Sequence, residues 1–190
     1  TAVSRYLQQR TRQEFNIVRE IRVIHNFVDT SRYSHDSNDC ASEHFAPQGE
    51  KILMHASNFR SVKRVKDVVH VFAKIQERIP AKLLLIGEGP DRLPVQQLVK
   101  ELNLSDNVLF LGEQDDIEEL MSCAKLFILP SKQEGFGLVA LEAQSFGVPV
   151  IGTNMGGLPE VVADGETGFL LPVGDIEGMA AKALELLESP

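Results

Sequence analysis

KLFILPSKQEGFGLVALEAQ, residues 125–144, runs from an apolar stretch through a polar turn into a helix-like stretch. LFIL shows no polar alternation, the mark of a strand buried on both faces. Pro130, Gly135 and Gly137 break the run, and apolar residues then resume at helical spacing from Leu138. The same unit recurs on either side. The other apolar runs are KILMHA (51–56), KLLLIG (82–87), NVLFLG (107–112), VPVIG (148–152) and GFLLP (168–172). Between and after them, amphipathic stretches at 65–79, 91–102, 115–123, 138–146 and 175–187 read as helices. Strands alternating with helices through short loops predict an α/β fold, a doubly wound parallel sheet with right-handed crossovers.

Upstream the pattern is different. Residues 3–15 read as a helix, 21–25 as a short strand, NFVD at 26–29 as a break, and the polar, aperiodic 34–50 as a connecting loop. The 190 residues fit one domain, or one plus a fragment. Hydrophobic residues at 43% and charged residues at 24% are ordinary for a globular chain and exclude a wholly disordered one. No apolar run nears the ~18 residues of a membrane span, and TAVSRYLQQR at the start lacks the apolar centre of a signal peptide. Net charge is −8, with the acids concentrated after residue 112, which argues against a general nucleic-acid binder. A basic patch of Arg60, Lys63, Arg64 and Lys66 could still hold one small anion. Cys40 and Cys123 are too few for a disulfide framework and read as reduced thiols of a cytoplasmic protein. His35, Asp36, Asp39, Cys40, Glu43 and His44 match no zinc spacing and read as a solvated loop, so no metal is expected there.

In such sheets, ligands bind at the C-terminal strand ends. GEGPDR after the second apolar run has Gly87 and Gly89 but no third glycine, so it fails the dinucleotide fingerprint and reads as a tight turn. Asp115 and Asp116 favour a helix start. The loop after 125–130 carries more. Gly135 and Gly137 bare the backbone beside a helix N-terminus, where the N–H groups of Leu138 and Val139 form an anion seat. Glu134 precedes this seat and Glu142 lies one turn inside the helix. Carboxylates so placed can stabilise the helix dipole, or accept hydrogen bonds from sugar hydroxyls without a metal.

With SNFRSVKRVKD, GEGP, EGFGLVALE, GVPVIGTNMGGLPE and DGETGFLLPVGD, the chain resembles the Rossmann-like C-terminal domain of a retaining GT-B glycosyltransferase of the glycogen-synthase-like group 1 family. The resemblance covers essentially the whole chain. HASNFRSVKRVKD and IHNFVDTSRY look most like members that join N-acetylglucosamine to L-malate at the start of bacillithiol synthesis. It implies that 1–25 is the last helix and strand of an N-terminal domain, 26–50 a hinge and connector, and 51–190 the nucleotide-sugar-binding domain. It implies a UDP-sugar donor, UDP-N-acetylglucosamine, and a small-molecule acceptor as partners, no metal or other cofactor, and room for a homo-oligomer. Arg60 and Lys66 match the pair that holds the donor diphosphate, although an extra residue in this segment leaves Lys63 and Arg64 as alternatives to Lys66. Glu134 matches the contact to the donor sugar, with the backbone of Gly135, Phe136 and Gly137. Leu138 and Val139 match the phosphate donors, and Glu142 the ribose contact. Gly156 and Gly157 read as a turn, with Pro159 opening a helix. The alternative is a nucleotide-sugar-binding module without catalysis. An epimerase is excluded by the missing fingerprint and by Tyr6 and Tyr33, neither of which starts a Tyr-x-x-x-Lys pair.

Overall fold

All the apolar runs of the repeating unit form parallel strands. The computed structural model describes residues 1–30 and 42–188. Most of the candidate metal cluster (His35, Asp36, Asp39 and Cys40) therefore lies outside the described residues. The strands are β1 (Lys51–Ala56), β2 (Ala81–Ile86), β3 (Val108–Gly112), β4 (Leu126–Leu129), β5 (Val150–Thr153) and β6 (Gly168–Leu171). They form one sheet in the order β3-β2-β1-β4-β5-β6. The chain reverses its direction of winding between β1 and β4, and this switch point opens a crevice at the strand C-termini.

The helices are α1 (Arg5–Phe15), α2 (Ser42–Phe45), α3 (Val65–Gln76), α4 (Arg92–Glu101), α5 (Glu118–Cys123), α6 (Leu138–Ser145) and α7 (Ile176–Glu188). One core joins α3, α4 and α7 to the sheet through Val68, Phe72, Val95, Met179 and Ala183. The other lies under α5 and α6 and includes Met121, Ala140 and Ala143. Unbroken apolar strands are thus explained by two packed faces, Leu53 facing one core and Met54 the other. Truncating a fully buried core residue such as Phe72 would cost about 3–5 kcal/mol.

Three local readings are corrected. Residues 21–25 form no strand: Val23 makes a single parallel bridge with Ala2. Hydrogen bonds from Ala2 N to Arg22 O and from Ile24 N to Ala2 O, both 2.9 Å, make up that pairing. A short stretch becomes a strand only where a neighbouring segment stays extended beside it for more than one residue, and α1 begins at Arg5, directly after this bridge. The helix expected from residue 115 begins at Glu118 because Asp116 Oδ1 accepts the Glu118 N–H at 2.9 Å, outside the helix. Cys123, buried at the end of α5, is disulfide-bonded and not a free thiol.

Candidate functional site

β4 delivers Pro130 and Ser131 to the crevice, and the loop from Lys132 to Gly137 turns the chain into α6. Lys132 N–H donates to Val62 O at 2.8 Å, which seats this loop on the segment after β1. That segment is a 3-10 turn over Ser61–Lys63, followed by Arg64 at φ 52°. The left-handed residue re-aims the chain between the turn and α3. As a result, neighbouring basic side chains point to different places.

Lys63 points to the loop. Its Nζ lies 2.6 Å from Glu134 Oε1, and the Ser131 hydroxyl donates to the same oxygen at 2.8 Å. Glu134 is 8% exposed. Both donors converge on one oxygen, so the opposite carboxylate oxygen is the one available to a ligand. Thr153, buried on β5, donates to Ser131 O at 2.6 Å and fixes the base of this cluster. Arg64 turns back to Asp67, with Nε to Oδ2 at 2.6 Å. Lys66 is exposed and lines a cavity against α4 with Leu93 and Gln97. Of the three basic alternatives, the fold brings Lys63 and not Lys66 to Glu134. Arg60 is exposed at the head of the 3-10 turn.

Gly137 caps α6 at φ 96°, and its carbonyl accepts the first intrahelical bond, from Ala140 N at 2.9 Å. The preceding N–H groups of Leu138 and Val139 are therefore the open positive end of the helix. Glu142 does not share a recess with Glu134. It lines a cavity of about 190 Å³ with Asp116, Glu118 and Phe146. Burial first, and then the charge of Glu118, raise the Glu142 carboxyl above its ordinary range. A larger cavity of about 370 Å³ lies at the ends of β1, β2 and β3 and shares Asp115 and Ile117 with the Glu142 recess. The helix end thus separates two acid sites, one paired with Lys63 and one beside a roomy cavity.

Several members of this site were not legible in the sequence. Gly156 sits at φ 70°, and a Cβ there would meet Glu134 O at 2.3 Å. Gly157 donates its N–H to Glu134 O at 2.8 Å, and a Cβ on it would meet Gly135 O at 2.3 Å. These glycines let the β5 loop press against the Glu134 loop, a stronger demand than the turn expected of them. The first residues also reach the site. Ser4 caps α1 and donates its hydroxyl to Gly135 O at 2.6 Å. Phe136 stacks on His25 with centroids 5.8 Å apart. Glu160 accepts from the N–H groups of Arg5 and Tyr6 and lies 3.1 Å from His25 Nε2. Burial works against its ionisation, but these hydrogen bonds outweigh it and hold the carboxyl below its ordinary range. The only sequence signals were the helix-capping Ser4 and an acid just after Pro159.

The Glycosyl transferases group 1 family matches residues 37–190. The chain is 48% identical over 189 residues to the N-acetyl-alpha-D-glucosaminyl L-malate synthase of Bacillus anthracis, covering 99% of this chain and 50% of that protein. It is 34% identical to the D-inositol 3-phosphate glycosyltransferase of Mycolicibacterium smegmatis, covering 88% of this chain and 40% of that one. Among solved structures, Anabaena HepE in complex with UDP and glucose aligns with a TM-score of 0.89 at 26% identity, covering 99% of this chain and 53% of that one. The chain spans about half the length of these proteins or less.

Proposed function

The chain belongs to the group 1 glycosyl transferases, and from that premise we propose that it forms the donor-binding half of a retaining UDP-sugar-dependent glycosyltransferase. The donor is UDP-N-acetylglucosamine and the acceptor is the hydroxyl of L-malate, the first step of bacillithiol synthesis in a cytoplasmic enzyme. The donor and acceptor rest on the 48% identity to the malate synthase. The donor class also has support from HepE, whose matching half lies in a protein solved with UDP and glucose.

One observation carries the reading: Glu134, held by Lys63 and Ser131, stands next to the open N-terminus of α6 at the switch point of the sheet. In the transfer, the bond between the anomeric carbon and the diphosphate breaks with its electron pair leaving on the diphosphate, a bond to the acceptor oxygen forms, and the acceptor's hydroxyl proton passes to the departing diphosphate. The departing diphosphate gathers negative charge. Arg60, Lys63 and the N–H groups of Leu138 and Val139 supply positive potential there, so no metal is needed. Glu134, with the backbone of Gly135, Phe136 and Gly137, positions the sugar hydroxyls. Glu142 in its separate recess takes the ribose hydroxyls. Glu134 is a positioning group, because a double-displacement pair of carboxylates would straddle the anomeric carbon about 5–5.5 Å apart, whereas Glu142 belongs to the nucleotide side.

A UDP titration in excess chelator tests donor binding, with unchanged affinity expected. In the full-length protein, UDP release from UDP-N-acetylglucosamine should require L-malate. Failure to bind UDP overturns the reading, and a strict need for divalent metal overturns the assignment of charge relief.

A further inference from the structure

β1 and β4 stop pairing just before the crevice: their ladder registers Leu53 with Leu126 and Met54 with Phe127 and ends there. The next residue, His55, is completely buried. Its Nδ1 lies 2.7 Å from Ile128 O and its Nε2 lies 2.8 Å from Ser57 Oγ. A carbonyl only accepts, so Nδ1 carries the proton. A neutral ring then has a bare Nε2, and Ser57 must donate its hydroxyl proton to it. Neutrality is secured by burial, which pushes the His55 pKa down to about 4 against the hydrogen bond to Ile128, and by the nearby Lys63 charge.

The polarity of Ser57 is thereby fixed. Its one proton points inward, and only lone pairs remain for a ligand. Ser57 lines the 370 Å³ cavity with Ala56, Ile86 and Ile117, which offer apolar surface to a flat ring. Glu88, Glu113 and Asp115 also border this cavity. Glu88 is paired with Arg92, and the two remaining carboxylates disfavour a diphosphate there, so the uncharged nucleoside end of the donor is the part that fits.

The geometry points to Ser57, oriented by His55, as the residue that selects the base. Its oxygen accepts the imide N3–H of uracil and meets the bare N3 of cytosine lone pair to lone pair. This inference rests on the nucleotide-sugar reading above. It adds a base-selecting contact to that reading, with His55 as the positioning residue.

UDP and CDP affinities of the full-length protein and its Ser57→Ala variant test it by calorimetry, alongside their melting temperatures. The parent is expected to prefer UDP over CDP, and the variant to lose about tenfold of that preference, through weaker UDP binding. A preference unchanged by the substitution overturns the inference while leaving the donor reading intact. Absence of UDP binding by the parent overturns both. Should the variant not fold, UDP methylated at N3 decides the matter on the parent protein. Affinity for it about tenfold below UDP supports the contact, and equal affinity overturns it.

Discussion

Lys63→Met separates the fold from the sequence spelling. The substitution keeps the length of the side chain and removes its charge. In the structure the ammonium is 2.6 Å from Glu134, and the two side chains are 19% and 10% exposed. A charged hydrogen bond to phosphate is worth about 1.5–3 kcal/mol, so UDP affinity should fall roughly 10–150-fold. Uridine, which lacks phosphate, should lose far less. The variant also leaves Glu134 with the Ser131 hydroxyl alone. Breaking a fully buried pair costs about 3–5 kcal/mol. Lys63 retains some contact with water, so the expected destabilisation is smaller, about 2 kcal/mol. Calorimetric titration with UDP and uridine, with urea unfolding alongside, reads both quantities. Lys66→Ala is the control. Lys66 lies against α4, away from Glu134, and its loss should leave UDP affinity nearly unchanged. If Lys66→Ala weakens UDP as much as Lys63→Met, or Lys63→Met weakens UDP and uridine equally, the assignment of Lys63 to the diphosphate is refuted.

Glu142→Gln should weaken UDP binding while leaving the urea midpoint unchanged or higher. Burial and Glu118 already disfavour the Glu142 charge above its ordinary pKa, a penalty that fades as pH falls. Glu134→Gln should leave UDP binding nearly intact and reduce turnover in the full-length protein. Gly156→Ala should destabilise by at least about 1–3 kcal/mol, the cost of a left-handed backbone for a residue with a Cβ. The contact with Glu134 O adds to that cost, and a melting scan measures it. His55 binds its proton less readily folded, at about 4, than unfolded, at 6.5. Between those values the unfolded state holds more protons, so the His55 contribution is present above pH 6.5 and is lost as pH falls toward 4. From pH 7 to about pH 4.5 the stability advantage over His55→Gln should shrink by about 2 kcal/mol. An unchanged difference in urea unfolding would contradict a buried neutral imidazole.

The sequence alone determined the sheet. Unbroken apolar runs such as LLLI and LFIL have only one stable arrangement, burial on both faces, and their spacing fits only helical crossovers. It also marked where α6 begins, because Gly135 and Gly137 are local requirements of the chain. The 21–25 stretch was not legible, because a strand depends on the partner beside it. The choice among Lys63, Arg64 and Lys66 was not legible either. Their spacing was known, but a single left-handed residue at Arg64 decides which of them faces Glu134. The same holds for His55, which in the sequence is one polar residue within an apolar strand. Only the end of the β1–β4 ladder gives it Ile128 and Ser57 as partners. Gly156 and Gly157 read as a turn, yet their stronger constraint is the backbone of the Glu134 loop packed against them. Local backbone preference and hydrophobic period are properties of neighbouring residues. A side chain's partner across the crevice is set by packing between segments far apart in the chain, and tertiary structure alone supplies it.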